Sequence, residues 1–208
     1  MKISGIVKGG DRMNKEKIDL IFPAMIHLCG ILHVRYFSDI LKHYGGENYT
    51  RKQILAHLQQ HLPDHCCLKD GFLYDADGFD TWEQWTYILE RSDGKPIYLP
   101  PLDELSSYAD PAYAEWTPAA QQLLLFLEET TQRGHLRPLL ERASLDLRRG
   151  ISPQEVIQHL LAANILLPEA ALPAFGSLFV QFYNHTRLYV NHGYTPEELK
   201  QLHFAKKK

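Results

Sequence analysis

Three groups of side chains have the types and spacing to do chemistry. The first is His57-x3-His61 followed closely by His65-Cys66-Cys67. Residues four apart share a helix face, and zinc favours imidazole and thiolate ligands, so His57, His61 and Cys66 are the candidate metal ligands. The pattern lacks the glutamate of the H-E-x-x-H protease motif, and no second cysteine pair stands at zinc-ribbon spacing. Adjacent cysteines on a strand also face opposite ways. The expectation is a polar helix face beside a half-buried strand, with no metal and no cofactor.

The second group lies on one helix, where Arg51, Lys52, Gln53, His57, Gln59 and Gln60 are expected to face outward. Such side chains can meet phosphates and base edges. Charge opposes that use. Residues 14 to 78 hold seven Lys/Arg and eight Asp/Glu, a net of −1, whereas strong DNA modules neutralise several phosphates. The following turn is acidic as well, with Asp70, Asp75 and Asp77. Nucleic-acid contact through this helix is therefore expected to be weak.

The third group is Asn184, Arg187, Asn191 and His192, with Thr195 just beyond. Their spacing of three and four would line them up as a polar stripe on a helix running from Glu169 to Val190. Arg187 could hold a carboxylate or phosphate. If buried, it must be paired and would act as a staple between the last helices, which is the preferred expectation. No nucleophile elbow, phosphate-binding glycine loop or paired His-Asp signature is present. Asp103-Glu104 and Glu128-Glu129 read as solvated helix faces. No catalytic residue is assigned, and a metal-dependent enzyme is the least favoured class.

Apolar residues recur by three and four from Lys17 to Cys29, from Val34 to Tyr44, and through the helix 50–62. Pro23 could delay the first of these to about Phe22. Thr50 is a plausible N-cap. Asp70-Gly71 between two apolar runs marks a hairpin over 65–75. Three helices and a hairpin follow the order of a winged helix-turn-helix. A helix is expected over Asp80–Glu90, and a helical turn over Leu102–Tyr108 leads into a proline-rich connector, Pro111 to Pro118. Beyond it come helices at about 119–131, 136–148, 153–163, 169–190 and 196–204. Ser152-Pro153 and Thr195-Pro196 are helix starts, each a capping hydroxyl before a first-turn proline. The fold class expected is mainly α: a winged helix-turn-helix-like unit with one β-hairpin (14–110), then a C-terminal helical bundle (118–204).

The chain of 208 residues is 45% hydrophobic and 23% charged, which fits a globular protein. No apolar run approaches the roughly 20 residues of a membrane span, and the first residues lack a secretory pattern, so the expectation is a cytoplasmic protein without a membrane role. Three cysteines, two of them adjacent, imply no disulfide framework. Lys8-Gly9-Gly10-Asp11-Arg12 can be encoded by a string containing AGGAGG, a ribosome-binding sequence, just before the Met13 codon. This suggests a bacterial gene in which residues 1–12 are a translated leader, with a flexible N-terminal tail as the alternative.

The stretch Asn184-His185-Thr186-Arg187-Leu188-Tyr189, followed by Gly193-Tyr194-Thr195-Pro196-Glu197-Glu198-Leu199, resembles a box of the form N-N-T-R-L-W-x-x-x-G-H-T-P-x-E-L. That box occurs in uncharacterised bacterial proteins related to SEC-C-motif proteins, many of which continue into a Cys-rich zinc knuckle. The resemblance extends to the N-terminal region from Leu28-Cys29-Gly30-Ile31-Leu32. His185, Tyr189 and Tyr194 depart from the box, and the knuckle is not found here. The resemblance implies a family without a settled activity. Together these readings point to a binding or adaptor protein acting through protein–protein contacts, with a DNA- or RNA-binding regulator as the alternative.

Overall fold

The structure is a computed structural model that describes residues 15–45, 48–79, 81–163 and 165–205. The proposed leader therefore lies outside the described residues. The first helix, α1 (Lys15–Cys29), runs straight through Pro23 rather than beginning near Phe22. The ring is tolerated because both flanks of the helix are sunk in the core: Ile18, Ile21, Phe22, Met25, Ile26 and Cys29 are all buried. Burial of this kind outweighs the roughly 3 kcal/mol that an interior proline costs.

At Gly30 the backbone turns left-handed (φ +72°) and enters β1 (Ile31–His33), a strand not anticipated from the sequence. A short 3-10 turn (Val34–Tyr36) leads into α2 (Phe37–Gly45). Next, α3 (Arg51–Gln60) begins with a full capping box: the Gln53 N–H donates to Thr50 Oγ1, and the Thr50 N–H donates to Gln53 Oε1. The hairpin is β2 (Cys66–Lys69) and β3 (Phe72–Asp75). Its two-residue turn has positive φ at both Asp70 and Gly71, the geometry that matches strand twist. The sheet order is β1-β3-β2, all antiparallel, with Leu32 opposite Leu73 and Leu73 opposite Leu68. The order α1-β1-α2-α3-β2-β3 with β3 central is that of a winged helix-turn-helix.

Both faces of this sheet are covered. Side chains alternate along a strand, so Leu32, Leu73 and Cys66 turn into the core under α1. Ile31, Phe72 and Tyr74 turn the other way, against α4 (Trp82–Ser92) and Tyr189. A short α5 (Leu102–Ser107) packs on α1, and its neighbour Tyr108 is fully buried in the first core.

The second half is a helical bundle of α6 (Pro118–Thr131), α7 (Arg137–Arg148), α8 (Pro153–Ala162), α9 (Leu172–Asn184) and α10 (Pro196–Ala205). Leu123, Leu127, Leu140, Leu147, Val156, Leu160, Phe175, Phe179 and Phe182 form its core. Here the fold departs from expectation: α9 stops at Asn184, not Val190. Residues 185–195 instead form an irregular loop with one 3-10 turn, Tyr189–Asn191. Among the described residues no helix is long and apolar enough to cross a membrane.

Candidate functional site

The loop that closes the chain is built around Arg187. Its side chain is only 6% exposed, yet it meets three carboxylates: Glu115 and Glu198 at 3.0 Å and Glu104 at 3.5 Å. It donates further to Tyr98 Oη (2.9 Å), Tyr108 Oη (3.1 Å) and the Gly193 carbonyl (3.2 Å), and its Cζ lies 3.8 Å above the Tyr98 ring. Burial alone would disfavour the charge, but Glu115, Tyr108 and Glu198 hold the proton more tightly than in water. A guanidinium so completely engaged has no donor left for a ligand. Arg187 is a staple, and it joins segments from both halves of the chain.

Glu198 has a second task. The Thr195 N–H donates to Glu198 Oε2 (2.9 Å) and the Glu198 N–H donates to Thr195 Oγ1 (3.2 Å), so Thr195 caps α10 in a reciprocal box. Asn191 is buried and accepts from Lys95 Nζ at 2.9 Å, while the same ammonium donates to the Val190 carbonyl. The polar stripe expected on a helix does not form, because three of its four members lie beyond the end of α9. Asn184 is half-buried at that end and makes no side-chain hydrogen bond among the described residues, against its expected part in the staple. Glu104, read from sequence as solvated, accepts from Tyr98 Oη at 3.1 Å and faces Arg187.

On α3, Arg51, Lys52 and Gln53 are exposed as expected, with Gln59 and Gln60. His57 is not. It is 8% exposed, shares 2.8 Å with Asp19 Oδ1 of α1, and stacks on Phe22. The periodicity placed His57 one position too far round, since Ile54, Leu58 and α1 draw it inward. The outward face of α3 thus carries two cations, both in its first turn, then neutral side chains. The wing is a bare two-residue turn, held down by the Val34 N–H donating to the Gly71 carbonyl at 2.8 Å.

The metal candidates do not converge. The rings of His57 and His61 are 5.1 Å apart, but His57 is committed to Asp19. Cys66 is in the core, where burial and then Asp75 push its thiol up to about 12, far from the thiolate a metal needs. Among the described residues no three His, Cys, Asp or Glu side chains are grouped to hold a metal ion.

A feature the sequence did not single out stands beside the wing. Trp82, the first residue of α4, is 63% exposed, with its ring centroid 5.2 Å from that of Trp85. Trp85 in turn packs edge-on to Tyr74 at 4.4 Å. Phe79 and Lys69 border a shallow depression at this ledge. Only the tryptophan spacing hinted at it, and that spacing equally suits a buried helix face.

The fold and this site define a mainly α protein with a winged helix-turn-helix-like unit, whose sheet is sandwiched between its own core and an added helix, and with a helical bundle stapled to it through Arg187. Comparison with models of known protein families, with curated proteins and with solved structures finds no match.

Proposed function

We propose that this chain is a cytoplasmic binding protein of bacterial origin, an adaptor that engages a protein partner through the aromatic ledge beside its wing. A relation to the SEC-C-motif proteins, resting on the Thr-Arg-Leu and Thr-Pro-Glu-Glu-Leu box, is part of the same proposal. The observation that carries the docking reading is Trp82. Leaving an indole in water forgoes about 2 kcal/mol of burial, and tryptophan held rigid against a second aromatic is a frequent anchor of protein interfaces. Lys69 at the border favours a partner segment with an apolar side chain for the indole and an acidic one beside it. The outer face of α3, with only two cations, and the short, acidic wing fit a protein partner better than a polyanion.

Cross-linking in cell extract, followed by reconstitution with the purified partner, tests this reading. Trp82→Ala should abolish the complex while leaving the melting temperature unchanged, and Arg51→Ala should spare it. A partner that binds Trp82→Ala as well as wild type would refute the ledge as the docking site.

Nucleic-acid recognition by the helix 50–62 and the hairpin 65–75 is the second reading, and one observation favours it. A Cβ at Gly71 would lie 3.2 Å from Arg51 Nη2 and 3.3 Å from His33 Nε2, so the Arg51 guanidinium and the His33 imidazole stand at the wing turn. Burial and the neighbouring Arg35 and Arg51 keep His33 below its ordinary value. With so few cations, binding should fade at physiological salt. A sequence-selective mobility shift that survives such salt and is lost in Arg51→Ala would make this the primary function.

A further inference from the structure

A cavity of about 370 Å3 opens where the winged-helix unit, α4 and the closing loop meet, at the small end of the range for small-molecule sites. Its walls come from three parts of the chain and differ in kind. The floor is apolar and includes Phe72 and Leu89. One wall carries Arg35, whose guanidinium donates to Tyr36 Oη at 2.7 Å and stacks 4.7 Å above that ring, with no carboxylate partner among the described residues. Another part of the lining is the C-terminal end of α4, where Glu90 and Asp93 stand.

Those carboxylates are in an unfavourable place. The end of a helix where carbonyls point out is already partly negative, and cations are what stabilise it. Neither Glu90 nor Asp93 has an ion-pair partner among the described residues. The nearby cations are engaged elsewhere: Arg91 lies over the Tyr87 ring, and Lys95 is held by Val190 and Asn191. One wall thus lacks an anion and the other lacks a cation.

The third wall is His192, 6% exposed and held in a left-handed backbone conformation (φ +48°) that costs a non-glycine residue about 1 kcal/mol. Its Nδ1 stands 3.2 Å from the Lys95 carbonyl. A carbonyl can only accept, so Nδ1 carries the proton, and Nε2 remains as an acceptor without a protein partner. His192 is among the residues that line the cavity. Burial holds this imidazole neutral, below its ordinary value. A buried ring on a strained backbone, offering an unused acceptor, is the kind of group that a ligand completes.

We propose that this cavity binds a free amino acid with an apolar side chain. Its carboxylate pairs with Arg35, its ammonium donates to His192 Nε2 and neutralises Glu90 and Asp93, and its side chain rests on Phe72 and Leu89. Both charges of the zwitterion answer a wall that lacks that sign. The site is separate from the Trp82 ledge, so its failure would leave the docking reading intact.

Isothermal titration and thermal unfolding of the full chain with L-leucine and L-phenylalanine test the proposal. At least one should bind and raise the melting temperature, since a ligand that bridges three segments stabilises the folded state. 3-Phenylpropanoate lacks the ammonium and 2-phenylethylamine lacks the carboxylate; each should bind at least about tenfold more weakly than L-phenylalanine. Arg35→Ala, at an exposed position, should weaken amino-acid binding by a similar factor while the ligand-free melting temperature is unchanged. Asp93→Asn should have a smaller effect in the same direction. Absence of binding by both amino acids at millimolar concentration overturns the proposal, as does equal binding of the singly charged analogues or full binding by Arg35→Ala.

Discussion

The ring of Tyr189 lies flat against Gly30, so closely that a Cβ at residue 30 would fall 2.3 Å from the tyrosine Cδ2. Gly30 ends α1 and opens β1, and Tyr189 belongs to the loop after α9, so this contact joins the start of the winged-helix unit to the closing loop. The tyrosine also reaches Asp75 Oδ2 at 3.4 Å, at the far end of β3. Glycine is required here twice over, for the left-handed backbone and for the approach of the ring.

Gly30→Ala should therefore destabilise the protein by on the order of 3 kcal/mol, from the clash together with the left-handed strain. Adding Tyr189→Ala should relieve the clash part, so the double variant should be more stable than the sum of the two single effects predicts. Urea unfolding of the four proteins measures this coupling. Strict additivity would show that the two residues do not meet.

Arg187→Ala should cost on the order of 3 kcal/mol, because it strands carboxylates gathered around one guanidinium. Glu104, Glu115 and Glu198 are each partly exposed and can regain some water, which keeps the loss from being larger. Arg187→Lys should recover little of it, since an ammonium cannot reach three carboxylates and stack on Tyr98 at once. A variant that melts within a degree or two of wild type, by calorimetry, would contradict the staple.

His27 sets a pH dependence. It is buried beside Arg148, whose Nη1 lies 2.6 Å from its Nε2. Burial and then that positive charge pull the imidazole down to about 3. Between pH 6.5 and 3 the unfolded chain binds a proton that the folded chain refuses, so stability is full above 6.5 and falls as pH drops through that window. The slope from this group is about 1.4 kcal/mol per pH unit. His192 is shifted in the same direction by burial and adds to it. His27→Gln, which keeps an acceptor for Arg148, should flatten the dependence by about the contribution of one group, as chemical denaturation at pH 7 and pH 5 would reveal.

The three thiols should react in two classes. Cys29 and Cys66 are buried, with burial raising both above the ordinary thiol range, whereas Cys67 is half-exposed. A disulfide reagent at pH 8 should label Cys67 in the native protein and reach the other two only on unfolding. Rapid labelling of Cys66 would reopen the metal-ligand reading of that segment.

What was legible in the sequence was local. The capping box at Thr50, the Asp70-Gly71 turn and the proline-led starts at 153 and 196 announce themselves because neighbours in sequence make the bonds. The strand β1 was not legible: its three residues are stable only through pairing with β3, some forty positions away, and through the cover of α4 and Tyr189. The end of α9 was misjudged for a related reason. Apolar spacing continues past Asn184, but Arg187 gains more from three distant carboxylates than from another helical turn. His57 was turned inward by Asp19, a partner on another helix. At the candidate sites the sequence pattern singled out Arg187 and Thr195, but neither the carboxylates that hold Arg187 nor the exposure of Trp82 could be read without the packing.

The cover of the sheet also bears on how the chain comes to be folded during synthesis. Tyr189 follows Asp75 by 114 residues, so it leaves the ribosome long after the strands it shields. Until then Gly30, Ile31 and the inner edge of α4 face solvent with a tyrosine-sized gap between them. A nascent winged-helix unit of this kind can form its first core early, since domains tend to fold from the N-terminus. Its outer face stays open until almost the whole bundle has been translated. That interval is the time at which a chaperone, or a second nascent chain, would find the apolar surface that the mature protein conceals.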